Sequence, residues 1–352
     1  MSVSTVDSPP EAIEADSPVA GRSLRQIVWS RLRRDRVAMI SMIGIALILL
    51  IAILAPLITR VLGVDPYTFN PELLDPATGS LPRGALGQGF SADHPLGVEP
   101  ATGRDILARL LYGARISLLI ALTATLLAVG IGTALGIMSG YLRGWVDSGL
   151  GFLTDIVLSF PLLLALIALT PVVVQRLEAM GVPEGNTARI TYLILALSLF
   201  GWPYMYRIAR GQVLSLRERE FVEAAESIGA SSSRILWREL LPNLWAPILV
   251  VSTILLPTYI ITEASLSFLG VGVQIPEPTW GNMLQDSVRS FSVLPWDMYI
   301  PGPLLLITVI VLNRLGDAVR DAVEPRAGRS SPAPTVPWRT RDAKPHPRPS
   351  TT

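Results

Sequence analysis

Apolar runs of about twenty residues alternate with polar, proline-rich connections along most of this chain. The runs fall at about 37–58, 117–139, 151–174, 190–208, 245–268 and 298–312. A helix of roughly 20 apolar residues crosses the ~30 Å hydrocarbon core of a bilayer. Inside lipid every backbone polar group needs a partner within the protein, and an isolated apolar run meets that need as a helix. The pattern predicts an all-α, polytopic membrane protein with about six transmembrane helices. Gly130, Gly132 and Gly136 dot the second run, where small residues let helices approach closely. Pro161 and Pro171 predict a kink in the third, and Gly201-Trp202-Pro203 a break in the fourth.

The connections divide the chain further. Residues 59–102 are rich in Pro, Gly and Asp and read as an external loop. Residues 103–115 are amphipathic, with Ile106, Leu107, Leu110 and Leu111 on one face, and are expected to lie on the outer membrane interface. Residues 175–188 and 271–297 read as further external loops, and 140–147 as a short inner turn. A core membrane domain is expected over 103–325, with a cytoplasmic loop at 220–243. Residues 1–36 read as a cytoplasmic, partly disordered amino-terminal segment, and 326–352 as a disordered cytoplasmic tail. Six arginines and one acid occupy 22–36, directly before the first apolar run. That is the flank expected on the cytoplasmic side. With both termini inside, 21 of the 29 Lys and Arg fall on the inner segments and eight on the outer ones. The expected location is therefore a plasma (inner) membrane, crossed several times.

Composition narrows the chemistry. The chain is 50% hydrophobic and 16% charged, with a net charge of +1, so nothing favours a nucleic-acid partner. It has no cysteine, and its histidines, His94 and His346, are far apart. No metal site and no nucleophile–base–orienter set emerges. Lys344 is the one lysine and sits in a proline-rich tail. A phosphate-cradling loop needs its lysine inside a glycine-rich turn, so any ATP chemistry belongs to another chain. No catalytic residue, cofactor or metal is expected here.

Residues 220–243, EFVEAAESIGASSSRILWRELLPN, stand out as a polar, helix-prone stretch between apolar runs. Residues 221–228 predict one helix of about two turns. Gly229 can take the positive φ that ends it. Ser231, Ser232 or Ser233 can cap a second helix, and Pro242 marks the return to the membrane. Glu223-Ala224-Ala225, then Gly229, then Leu241-Pro242 resembles the EAA loop of membrane subunits of binding-protein-dependent ABC importers. Four other stretches are similar to the same family: GRDILARLLYGARISL at 103–118, GYLRGWVD at 140–147, EASLSFLGVGVQIPEPTWGNML at 263–284 and NRLGDAVRDAVEPR at 313–326. One early span, a proline-rich loop and then the core looks like the C-type subunit of dipeptide, oligopeptide and nickel importers. The chain departs from the family pattern at Gly151-Phe152, where a Met-Arg pair is common, and at Glu239, where an aliphatic residue is usual.

The resemblance implies a lipid-embedded permease that forms half of a translocation pathway. It implies a second homologous permease subunit, one or two ATP-binding subunits and an external substrate-binding protein. The loop residues Glu223, Ala224, Ala225, Glu226, Gly229, Leu241 and Pro242 would then form the surface that meets the ATPase. Ala224 and Ala225 would allow close approach, and Glu223 and Glu226 would pair with partner cations or brace the loop internally. Glu263 and Asp155 are candidates for the pathway or its gate, because ionisable groups at membrane depth are costly; the alternative is a structural pairing at the membrane surface. Trp280 and Trp296 read as interface anchors, with contacts to an external partner as the alternative. Peptide is the expected cargo, with nickel or another small solute as the alternative. An ATP-independent channel or carrier is the alternative of a different class.

Overall fold

The computed structural model describes residues 24–83 and 89–323. The expected disorder at 1–20 and 326–352 falls outside these residues. Twelve helices account for most of the described chain. A short amphipathic α1 (Leu24–Arg34) turns at Asp35 into the long α2 (Arg36–Leu62). Asp35 caps α2 by accepting the amides of Val37 and Ala38, and Gly63 ends it in the left-handed region. A two-stranded hairpin follows, β1 (Leu74–Asp75) against β2 (Leu81–Pro82), paired Leu74 to Pro82 and Asp75 to Leu81.

The core is built on α3 (Ile106–Leu142) and α6 (Asn186–Leu216). Between them lie α4 (Gly144–Ser159) and α5 (Leu162–Ala179), separated at Phe160-Pro161. After α6 come α7 (Glu220–Ser227) and the short α8 (Ser232–Arg234), then α9 (Trp245–Phe268). The chain closes with α10 (Trp280–Ser290), α11 (Trp296–Tyr299) and α12 (Pro301–Val323). By length and composition, five stretches suit a membrane crossing: Arg36–Leu62, Ile106–Leu142, Leu162–Ala179, Ser232–Phe268 and Trp296–Val323. Helix α6 is long enough to be a sixth, at 31 residues. It is less apolar because it carries Arg189, Arg207 and Arg210 as well as buried Tyr192, Trp202 and Tyr206.

Three expectations need correction. Residues 106–115 are not a separate interfacial helix: they are the first turns of α3, capped by Asp105, whose side chain accepts the Ala108 amide at 2.6 Å. The third apolar run is two helices, because Pro161 cannot donate to the ladder and restricts the residue before it. The fourth shows no break. Helix α6 runs through Pro203, and Gly201 leaves the slot into which the Tyr259 hydroxyl of α9 fits.

The α3–α6 contact is a ridge of glycines. An added Cβ at Gly132 would come within 2.5 Å of the Trp202 carbonyl, at Gly136 within 2.6 Å of the Ala209 Cβ, and at Gly140 within 2.9 Å of Val213. These residues recur every fourth position, so they share one face of α3 and let it meet α6 backbone to side chain. Gly130 meets nothing within 4 Å and lies off the contact. Gly136→Leu is therefore expected to destabilise the protein by about 2 kcal/mol or more. Gly130→Leu should stay within about 0.5 kcal/mol of wild type. Thermal unfolding of the two variants in matched detergent checks the difference.

Candidate functional site

Helix α3 is about 55 Å long at 1.5 Å per residue, and the segments that carry chemistry sit at its two ends. At the Leu142 end stands the 220–243 elbow. Helix α7 begins after Arg219 and stops at Ile228. Gly229 has φ +76° and leaves open space around its Cα. The amide of Ala230 donates back to the Ala225 carbonyl at 3.0 Å, closing the helix end. Ser231 then caps α8, its hydroxyl accepting the Arg234 amide at 3.4 Å. The helix widens over Ile235–Leu240 and tightens at Leu241–Leu244, where Pro242 fills a first-turn position before α9.

The elbow has two faces. Val222, Ala225, Ile235, Leu240 and Leu244 are buried in the main core. Glu226 accepts a hydrogen bond from the Tyr141 hydroxyl at 3.2 Å, and Arg217 donates to the Tyr141 carbonyl at 3.2 Å. The loop is thereby tied to the end of α3. Outward stand Glu223, Ala224, Gly229 and Pro242, with Leu241 half-buried. Ala225 was expected beside Ala224 on the contact face. It points inward instead, because consecutive positions on a helix lie about 100° apart. The outer face also carries Phe221, Ile228 and Trp237, all exposed large apolar residues. Their signal in the sequence was apolar positions off the buried stripe of a short amphipathic helix.

Beside the elbow, α4 and α6 enclose an open polar groove of about 600 Å³. Asp147 takes a two-pronged hydrogen bond from Arg210, with Arg210 Nη2 at 2.7 Å from Asp147 Oδ2. The Ser139 hydroxyl of α3 also donates to Asp147 and lies 2.9 Å from the Tyr206 hydroxyl. This cluster joins α3, α4 and α6 at one point. The Arg210 bond, and after it the Ser139 bond, holds Asp147 at a pKa of about 2, against the opposing effect of burial. Asp155 lines the same groove and pairs with Arg207 at 2.7 Å, both side chains exposed. Such a pair is worth little in water. Gly151 and Phe152 line the groove as well, and Arg207 and Arg210 supply its positive charge.

Glu263 is at the other end and is fully buried. Its Oε1 accepts the Ser267 hydroxyl at 2.8 Å, with Ser117 and Thr279 alongside. Ser267 in turn accepts the Val273 amide at 3.2 Å. Glu263 thus does not line an open path in this conformation. It fixes the turn that follows α9. Trp280 is also fully buried, its indole donating to the Leu110 carbonyl at 3.2 Å, and is a core residue rather than an interface anchor. Trp296 is partly exposed and stacks edge-on against Phe90. His94 of the 89–105 loop lies 2.8 Å from the α3 cap Asp105.

A second charged cluster at this end was not legible from spacing. Glu99 bonds Arg104 at 2.9–3.0 Å and also contacts Arg109, which is entirely buried. Asp286 of α10 lies 3.6 Å from both arginines. The four charges join the 89–105 loop, the start of α3 and α10.

The Asp147–Arg210 bond gives a pH signature. The carboxylate pKa is depressed on folding, so its contribution is present above the ordinary carboxylate range and is lost as pH falls toward 2. Asp147→Asn is expected to cost about 1 kcal/mol at neutral pH. The gap from wild type should close between about pH 4 and pH 2. Unfolding midpoints across that range check it.

The family described as binding-protein-dependent transport system inner membrane component matches residues 132–329. The N-terminal TM domain of oligopeptide transport permease C matches residues 23–78. The dipeptide transport system permease protein DppC of Alkalihalophilus pseudofirmus is 36% identical over 298 residues, covering 85% of this chain and 88% of its own. The oligopeptide transport system permease protein OppC of Escherichia coli K12 is 37% identical over 309 residues, covering 88% and 93%. Among solved structures, the inward-facing MetNI methionine ABC transporter aligns with a TM-score of 0.49 at 20% identity, over 62% of this chain and 98% of the other. The chain belongs to the family of binding-protein-dependent transport system inner membrane components.

Proposed function

We propose that this chain is one half of the membrane pathway of an ATP-driven importer of di- and oligopeptides. Its relatives carry the names of dipeptide and oligopeptide permeases across nearly their full length. In this reading both termini and the 220–243 elbow face the cytoplasm, and 59–102 faces outward. A second homologous permease completes the pathway, one or two ATP-binding subunits drive it, and an external binding protein delivers the cargo. ATP hydrolysis belongs to those partners.

The observation that carries the reading is the two-faced elbow. One face is buried in the core at Val222 and Ala225 and is tied to α3 by the Tyr141–Glu226 bond. The other presents Phe221, Glu223, Ala224, Ile228 and Trp237 without cover. Exposed apolar residues clustered with charge at the end of a membrane bundle suit a protein contact. A push on that face passes through the buried one into α3, and through the glycine ridge into α6. Closure of the ATPase pair would move the elbow and tilt these helices, opening the pathway on alternate sides. Glu223 faces outward with no side-chain partner among the described residues and is placed to meet a partner cation, whereas Glu226 already braces the loop.

Two variants test the docking role. Gly229→Val strains a position with φ +76°, by about 1–2 kcal/mol and without a steric clash. Ala224→Trp adds bulk to the outer face alone. Both are expected to insert into the membrane at wild-type levels while recovery of an ATP-binding subunit by co-purification falls about tenfold or more. Wild-type recovery with both variants would contradict the docking role.

A further inference from the structure

At the Ile106 end of α3, the hairpin loop, the start of α3, α10 and α11 surround a cavity of about 410 Å³. That lies within the ~300–1,000 Å³ of small-molecule sites. One wall is apolar, made by Ile106, Ile275, Met283 and Val293. The opposite side carries charge. Two of its acids are already balanced: Glu99 is held by Arg104 and Arg109, and Asp286 shares the same two arginines.

Asp297 is the acid left over. It is 7% exposed and lines the cavity, and its one side-chain hydrogen bond among the described residues comes from Ser290 at a long 3.4 Å. No Lys, Arg or His lies within 4 Å of it among the described residues. Arg289 also borders the cavity, but it is exposed and its charge is screened by water. The ion pairs at this end therefore leave one buried carboxyl without a cationic partner among the described residues, facing a space with an apolar wall. A buried carboxylate calls for a charged partner with hydrogen-bond donors.

We propose that this cavity binds a primary ammonium group on a short hydrocarbon stem, with Asp297 as its acceptor. The ammonium supplies the missing positive charge and donates to Asp297. The stem lies against Ile106, Met283 and Val293. A divalent ion suits the site less well, since no group of three or more metal-ligating side chains is present among the described residues. Both a peptide's α-ammonium and a lysine side chain of a docked protein have this chemistry.

The test uses the full chain in nanodiscs and reads binding rather than transport, so it stands apart from the import assignment. Saturation-transfer NMR titrations compare n-butylammonium with n-butanol. The ammonium is expected to bind about tenfold more tightly, the preference of a charged hydrogen bond. Asp297→Asn should remove that preference and Asp297→Glu should keep it. Val293→Trp, which fills the cavity from an already exposed position, should weaken binding without unfolding the chain. Equal binding of alcohol and ammonium, or an unchanged preference in Asp297→Asn, overturns the proposal. Competition by alanyl-alanine would place a peptide terminus in the cavity. Competition by Nα-acetyl-lysine N-methylamide would place a partner's lysine there. Failure of both to compete also overturns it.

Discussion

Close packing of α3 on α6 sets the position of everything else. Gly132, Gly136 and Gly140 remove the side chains that would hold the two helices apart, and Trp202, Met205, Ala209 and Val213 fill the space. In lipid there is little hydrophobic drive between helices, so van der Waals contact of this kind carries the association. The two helices run parallel, since Gly132 meets Met205 and Gly140 meets Val213. Their shared end presents the elbow and the Asp147–Arg210 groove. Their opposite end holds Glu263, the buried arginines and the cavity.

The two ends are built differently, and the difference fits a lever. At the elbow end the ties include exposed hydrogen bonds and ion pairs, such as Tyr141–Glu226 and Asp155–Arg207. Such contacts are individually weak and can be exchanged. At the other end Arg109 is wholly buried against Glu99, and Glu263 is wholly buried beside Ser267. Breaking a buried pair leaves a charge without solvent, at a cost of several kcal/mol. That end is held in one arrangement, and the turn 267–273 is pinned through Ser267.

Much of this was legible in the sequence. Apolar run length located the spans, and the bounds of α9 coincide with the fifth run. Gly229 and Ser231 revealed the elbow because a helix end and a cap are local chemistry. Three things were not legible. Run length alone cannot tell a continuous helix from two, so the division at Pro161 and the continuity through Pro203 depended on neighbours. Helix faces were misjudged where an amphipathic pattern had two buried options: Arg109, in a stretch that looked interfacial, is buried by its partner Glu99. Ala225 differs from Ala224 only by rotation about α7. The charged cluster brings Asp286 to Glu99, Arg104 and Arg109 from far along the chain, and no spacing rule foretells that meeting.

The central claim is that the outer face of the elbow meets an ATP-binding subunit while its inner face transmits motion to α3. The chain has no cysteine, so a single introduced thiol reports unambiguously. Ala224→Cys and Ala225→Cys, each treated in native membranes with a short bifunctional thiol reagent and analysed by mass spectrometry, give the most direct reading. The account expects position 224 to cross-link to a subunit bearing a nucleotide-binding phosphate loop, and position 225 to give little product. Cross-linking from 224 to no such subunit, or equal product from both positions, would contradict it.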